Sequence, residues 1–183
     1  MYNGWKKCHG VKFQTIDLPN GMNAHVSGPY SCRRNDLYTL RISGINEKLR
    51  MLQNDAILQY KVYGDSAYLI INQSHIRARH SNNDNTPREI MENESMLSCR
   101  QSIEWNYNDL KQTWKFIDYS MNLKLLDMDV SAIIVSAMIL RNARVTLNGN
   151  ITSSHFNYRP PSLQEWTNEG PRVVDFANLR ENS

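Results

Sequence analysis

Val11-Lys12-Phe13-Gln14-Thr15-Ile16-Asp17-Leu18, Pro19-Asn20-Gly21 and Met22-Asn23-Ala24-His25-Val26-Ser27 form the stretch that decides the fold class. Val11 to Leu18 reads as a strand, Pro19-Asn20-Gly21 is a turn signal, and Met22 to Ser27 is the return strand. The segment therefore predicts an antiparallel hairpin. Gly28-Pro29 ends it, and a loop follows through Cys32-Arg33-Arg34. Beyond the loop, Leu37, Leu40, Ile45, Leu49 and Leu52 approximate a helical stripe, with Asp36 placed to cap it and Ser43-Gly44 expected to interrupt it. Gln59 to Gly64 predicts a short strand with Asp65 at its C-terminal end. Tyr68 to Ile76 predicts a second, strand-like segment, and 81–85 is a polar loop.

Thr86-Pro87-Arg88-Glu89 opens a helix. Threonine caps, proline suits the first helical position, and the glutamate three residues on completes a capping box. Ile103, Tyr107, Leu110 and Trp114 continue the helical spacing to about Lys115. A last long helix is expected from Asp129 to Leu147, with Val130, Ile133, Ile134, Ala137 and Ile139 on its apolar side. Arg141 and Arg144 fall in its last turns, where the dipole favours cations, and Asn148-Gly149-Asn150 stops it. From Ser153 the chain is expected to run extended, then fray. Hairpin, helix, strands and further helices give an α/β class with helices on the faces of a mixed sheet.

The 183 residues, 40% hydrophobic and 21% charged, suit a globular domain with a real core. A net charge of +3 permits a nucleic-acid partner without arguing for one. Cys8, Cys32 and Cys99 form no CxxC pair and read as reduced thiols. The N-terminal residues have no apolar core of a signal peptide, and the apolar run Val130 to Leu140 is short for a membrane span. Among His9, His25, His75, His80 and His155 no zinc spacing occurs, and P-loop, GxGxxG and GxSxG motifs are absent.

Three acids remain as candidates. Asp65 closes a strand, where α/β sheets place ligands; the competing reading is a turn or cap. Glu104 lies on a helix with Arg100 and Asn108 on the same face; the competing reading is a solvated ion pair with Arg100. Asp36 is either a helix cap or a functional group. Carboxylates converging from separate elements are what a Mg2+ site needs. Lys6, Lys7, Lys12, Arg33, Arg34, Arg77, Arg79, Lys111 and Lys115 are the cations suited to phosphate, and Trp5, Tyr30 and Trp105 the groups suited to stacking, unless they are ordinary solvated charges and core aromatics.

The strings Tyr2-Asn3-Gly4-Trp5-Lys6-Lys7-Cys8-His9-Gly10-Val11-Lys12-Phe13-Gln14, Pro19-Asn20-Gly21, Gly28-Pro29-Tyr30 with Arg33-Arg34-Asn35-Asp36, and Tyr63-Gly64-Asp65-Ser66-Ala67-Tyr68 stand in this order along the chain. Met96 to Trp105, Leu140-Arg141-Asn142-Ala143, Asn150-Ile151-Thr152-Ser153 and Pro160-Pro161-Ser162-Leu163-Gln164-Glu165 follow them. The ordered set, over about residues 1–166, resembles PIF/Harbinger-type DDE transposases and their domesticated relatives.

The resemblance implies an RNase H-like fold and a DDE endonuclease that cuts and rejoins DNA with Mg2+ or Mn2+. It puts catalytic, metal-binding roles on Asp65 and Glu104, and a supporting, metal-proximal role on Asp36. Arg100 is implied to orient a carboxylate or touch phosphate, and Lys6, Lys7, Arg33 and Arg34 to contact DNA. It also implies a Myb/SANT-like partner, a nuclear or cytoplasmic location and no membrane. The family's first acid lies on a strand before the YxGxK segment, so residues 1–166 are expected to be an N-terminally truncated domain lacking the first edge strand, with 167–183 a flexible tail. Asn35 stands where the family has histidine. With one of three acids missing, metal affinity is expected to be weak; a non-catalytic DNA- or protein-binding descendant is the alternative.

Overall fold

The computed structural model describes residues 2–3, 8–54, 61–65, 68, 76–78, 86–117 and 129–168. Its elements run β1 (Tyr2–Asn3), β2 (Cys8–His9), β3 (Val11–Asp17), β4 (Asn23–Ser31), α1 (Asp36–Ile42), α2 (Ile45–Asn54), β5 (Val62–Tyr63), β6 (Ile76–Arg77), α3 (Pro87–Thr113), α4 (Val130–Asn148), α5 (Ile151–His155) and α6 (Leu163–Asn168). This is a mixed α/β chain. The described strands form three two-stranded ladders, β1–β2, β3–β4 and β5–β6. The chain divides into two compact units, the first made of 1–14 and 30–104, the second of 15–29 and 105–183. The hairpin β3–β4 and the helix α3 each contribute to both.

The expected hairpin forms. Its turn is closed by Leu18 N–H donating to the Met22 carbonyl at 2.8 Å and Gly21 N–H to the Leu18 carbonyl at 2.9 Å. Gly21 sits at φ +83°, a conformation that favours glycine.

In the first unit, Asn35 and not Asp36 caps α1: its side chain accepts from Tyr38 N–H at 2.8 Å. Asp36 is left free of the cap and enters the helix as its first residue. The expected break falls at Ser43-Gly44, where Gly44 takes φ +67°. Leu40, Ile45 and Leu49 bury the stripe, whereas Leu52 is 57% exposed and falls outside it. β5 and β6 pair in parallel, Val62 with Ile76 and Tyr63 with Arg77. Of the expected strands Gln59 to Gly64 and Tyr68 to Ile76, the described residues show strand at Val62–Tyr63 and at Ile76; 59–60, 69–75 and the polar loop 81–85 lie outside the described residues. The capping box at α3 forms as expected, with Thr86 N–H donating to Glu89 Oε2 at 2.7 Å and Glu89 N–H to Thr86 Oγ1 at 3.3 Å.

In the second unit, α4 is capped by Asp129, which accepts from Ala132 N–H at 3.0 Å, and ends at Gly149, φ +66°. Leu110, Ala137 and Met138 are buried together, with Val26, Trp114, Ile117 and Ile134 packed against them. Burying side chains the size of Leu110 and Met138 contributes roughly 1.5–3 kcal/mol each. Two expectations fail here. Ile139 points to solvent, half exposed, while Val135, Met138 and Val145 are buried. The chain from Ser153 is not extended throughout: 153–155 complete α5, whose Asn150–Ser153 capping box is reciprocal, and α6 follows, where Ser162 and Glu165 make a second box with Ser162 N–H to Glu165 Oε2 at 2.7 Å. Helix formation thus reaches Asn168, and 169–183 lie outside the described residues. α4 is long and apolar enough to cross a membrane by length and composition, but its inner side also carries Arg141, Asn142 and a web of hydrogen bonds described below.

Candidate active site

Four elements of the first unit carry the candidate residues. Asp65 follows β5, as expected, and its backbone is turned by Tyr68 N–H donating to the Asp65 carbonyl at 2.9 Å. Arg100, on α3, brings Nη1 to 3.8 Å from Asp65 Oδ1. Both side chains are more than half exposed. Glu104 lies four residues after Arg100, hence on the same face and about 6 Å further along the axis, and is exposed.

Asp36 joins from α1. Lys12 on β3 donates to Asp36 Oδ1 at 2.8 Å and to the Arg34 carbonyl at 2.9 Å. Strand alternation puts Gln14 on the same face of β3 as Lys12, and Gln14 Nε2 donates to the Tyr68 hydroxyl at 3.3 Å. Burial raises the Tyr68 hydroxyl above its ordinary pKa; the Gln14 bond opposes this, and the charges of Asp36 and Asp65 reinforce it. Both carboxylates therefore act on one phenol.

Arg33 and Arg34 are exposed on the loop before α1. Arg34 lays its guanidinium over the Tyr38 ring, 4.6 Å from the centroid, which holds the planar cation against the ring. Lys6 and Lys7 lie outside the described residues. Among the described residues, no three His, Cys, Asp or Glu side chains converge as a metal-binding group. The acids instead meet the chain's own cations, Asp36 with Lys12 and Asp65 with Arg100.

Residues 1–142 match the family described as DDE superfamily endonuclease. The chain belongs to that family. No match was found among curated proteins or solved structures.

Among the described residues of this DDE endonuclease chain, the most extensive side-chain hydrogen-bond cluster lies in the second unit. Arg141 is 1% exposed. It donates from Nε to Asp109 Oδ2 at 3.0 Å, from Nη1 to the Gly21 carbonyl at 3.0 Å, and from Nη2 to Asn106 Oδ1 at 2.5 Å. Arg144 also bonds Asp109. Asn142 accepts from Asn23 N–H and donates to its carbonyl, both at 2.9 Å. Asn150 and Thr152 reach Asn106 Oδ1 as well, at 3.3 and 2.9 Å. Asp17 accepts from Asn23 Nδ2. Burial pushes the Asp17 carboxyl up to about 6, against the opposing pull of Arg141 and the Asn106 and Asn23 amides. Desolvation lowers the Arg141 pKa, and Asp109 and Asp17 counter it.

Sequence reading missed Gln14 and Tyr68 as site residues, although both sit in quoted strings, and missed Asp17 and Asn106 altogether. It read Arg141 as a dipole partner. The available signal was polarity at buried spacing: Ser102 and Asn106 interrupt the apolar line from Met96 to Leu110, and Arg141-Asn142 interrupt α4. An open apolar groove of about 350 Å³ beside α4, lined by Trp114, Phe116, Ile133 and Leu140 among others, carries no titratable group.

Proposed function

We propose that this chain is the catalytic domain of a transposase-like DNA endonuclease of Harbinger type, built on an RNase H-like fold and using Mg2+ or Mn2+. The observation that carries the reading is the approach of Asp65, at the end of β5, to Arg100, one turn before Glu104 on α3. Two acids from separate elements thereby fall within reach of one side chain. Asp65, Glu104 and Asp36 supply the hard oxygen ligands that such cations take. A bound cation would activate a water or 3′-hydroxyl and stabilise the leaving oxygen. Asp65 and Glu104 would hold it, Asp36 would support it from α1, and Arg100 would orient the acids or meet a phosphate oxygen. Arg33, Arg34, Lys6 and Lys7 contact the DNA backbone, where neutralising phosphates releases counterions. A Myb/SANT-like DNA-binding partner and a nuclear location belong to the same reading.

One observation favours a second reading, a non-catalytic DNA- or protein-binding member: three acids do not converge among the described residues. Nicking of supercoiled plasmid by the full chain separates the two. The first reading expects nicking that requires Mg2+ or Mn2+ and is lost in Asp65→Ala. DNA binding without nicking, in either protein, establishes the second. Equal nicking by both proteins removes Asp65 from the site.

A further inference from the structure

Tyr68 has no role in the reading above, yet it touches Gly64, the Asp65 carbonyl and Gln14. Its ring lies against the backbone of Gly64: a Cβ built on Gly64 would come within 2.6 Å of Tyr68 Cδ2 and 3.1 Å of Cγ. Gly64 is therefore glycine here because the ring needs the space, not because of its φ. Its N–H donates to the Arg77 carbonyl at 2.9 Å, which ties it to β6. The Tyr68 N–H closes the turn on Asp65, and the hydroxyl is held by Gln14 from β3. The residue thus touches both sides of Asp65, through the glycine before it and through its own carbonyl, and anchors the whole turn to a separate strand.

We propose that Tyr68 is a positioning residue for Asp65. The ring clamps Gly64, the Gln14 bond fixes the ring, and together they set the direction in which the Asp65 carboxylate leaves β5. Gln14 Nε2 donates to the hydroxyl oxygen at 3.3 Å, so the far end of the ring is held by β3 while its near edge lies on Gly64. Groups behind a ligand commonly change metal affinity about 10–100-fold without contacting the ion. Lys12 does the corresponding work for Asp36, so one face of β3 holds both acids, one directly and one through the phenol.

This inference rests on Asp65 being a metal ligand, and the experiment is built to tell the two apart. Mn2+ binding to the full chain is followed by electron paramagnetic resonance of the free ion, for wild type, Asp65→Asn, Tyr68→Phe and Gly64→Ala, with a thermal melt of each. Tyr68→Phe keeps the ring and is expected to fold. Its Mn2+ affinity is expected to fall about tenfold with an unchanged melt and unchanged affinity for plain duplex DNA. Gly64→Ala displaces the ring and is expected to lose more. If Asp65→Asn abolishes binding while Tyr68→Phe binds as wild type does, the positioning role is overturned and the site stands. If Asp65→Asn binds as wild type does, the site itself fails and the role of Tyr68 fails with it. A Tyr68→Phe protein whose melt drops in step with its Mn2+ affinity also overturns the proposal, since the hydroxyl would then be serving the fold alone.

Discussion

Arg100 in the first unit and Arg141 in the second each face an aspartate, at 3.8 and 3.0 Å, but their surroundings differ in kind. Arg100 and Asp65 keep 66% and 55% of their side-chain surface, and Arg100 has its charge largely in water. Arg141 keeps 1%, and every nitrogen of its guanidinium has a named acceptor: Asp109, the Gly21 carbonyl, Asn23 or Asn106. An exposed pair contributes about 0–1 kcal/mol to stability, because water competes for both ions. A buried one is held only by complete pairing, and loss of one partner leaves a charge with no solvent. Charge in the second unit thus specifies the fold. The Asp65–Arg100 charges of the first are held only at long range and largely in water.

The largest test of this contrast is Arg141→Met. It keeps an unbranched chain in the core but takes one donor each from Asp109, Asn106 and the Gly21 carbonyl, leaving them to Arg144, Thr152 and Asn150. The unfolding free energy by urea titration is expected to fall by about 3–5 kcal/mol, which is a large part of any domain's stability. A loss near zero would mean the web is incidental to the fold.

Asp17 sharpens the same point through pH. Its carboxyl stands at about 6 in the folded chain against an ordinary 3.8, with burial the main cause. Between those values the folded chain binds more protons than the unfolded chain. The Asp17 contribution to stability therefore rises as pH falls through 6 toward 3.8, and ionisation above that window costs about 3 kcal/mol. Asp17→Asn mimics the neutral form. Its stability relative to wild type is expected to be highest at pH 7 and to decline by about 2–3 kcal/mol on acidification to pH 4. A pH-independent difference between the two proteins would show that burial does not control this carboxyl.

Local signals carried most of what the sequence revealed. The Pro19-Asn20-Gly21 turn, the break at Ser43-Gly44, the capping box at Thr86 and the stop at Gly149 each depend on a few neighbouring residues, and all four form. Ser162-Leu163-Gln164-Glu165 is an equally local capping box that was overlooked behind Pro160-Pro161, so α6 was legible and missed. The arginine web was not legible in the same way. Its partners, Gly21, Asn23, Asn106 and Arg141, lie far apart in the chain, and helical spacing alone does not say whether Arg141 turns inward or outward. The cap of α1 was misassigned between adjacent residues, Asn35 and Asp36, both suitable by type. That one-residue difference matters for the site: with Asn35 on the helix end, Asp36 is available to Lys12.

The smallest expected effect is also the one that most directly tests the contrast between the units. Asp65→Asn removes a charge that is more than half in water and faces Arg100 across 3.8 Å. The amide fits the same space and keeps an oxygen toward the guanidinium. Stability by urea titration is expected to change by no more than about 0.5 kcal/mol. Arg141→Met, by comparison, removes a charge whose surroundings have no water to replace it. If Asp65→Asn instead costs as much as the buried arginine, Asp65 is part of the scaffold of the first unit. Its approach to α3 would then be explained by folding, and the case for a metal ligand at the end of β5 would lose its main support.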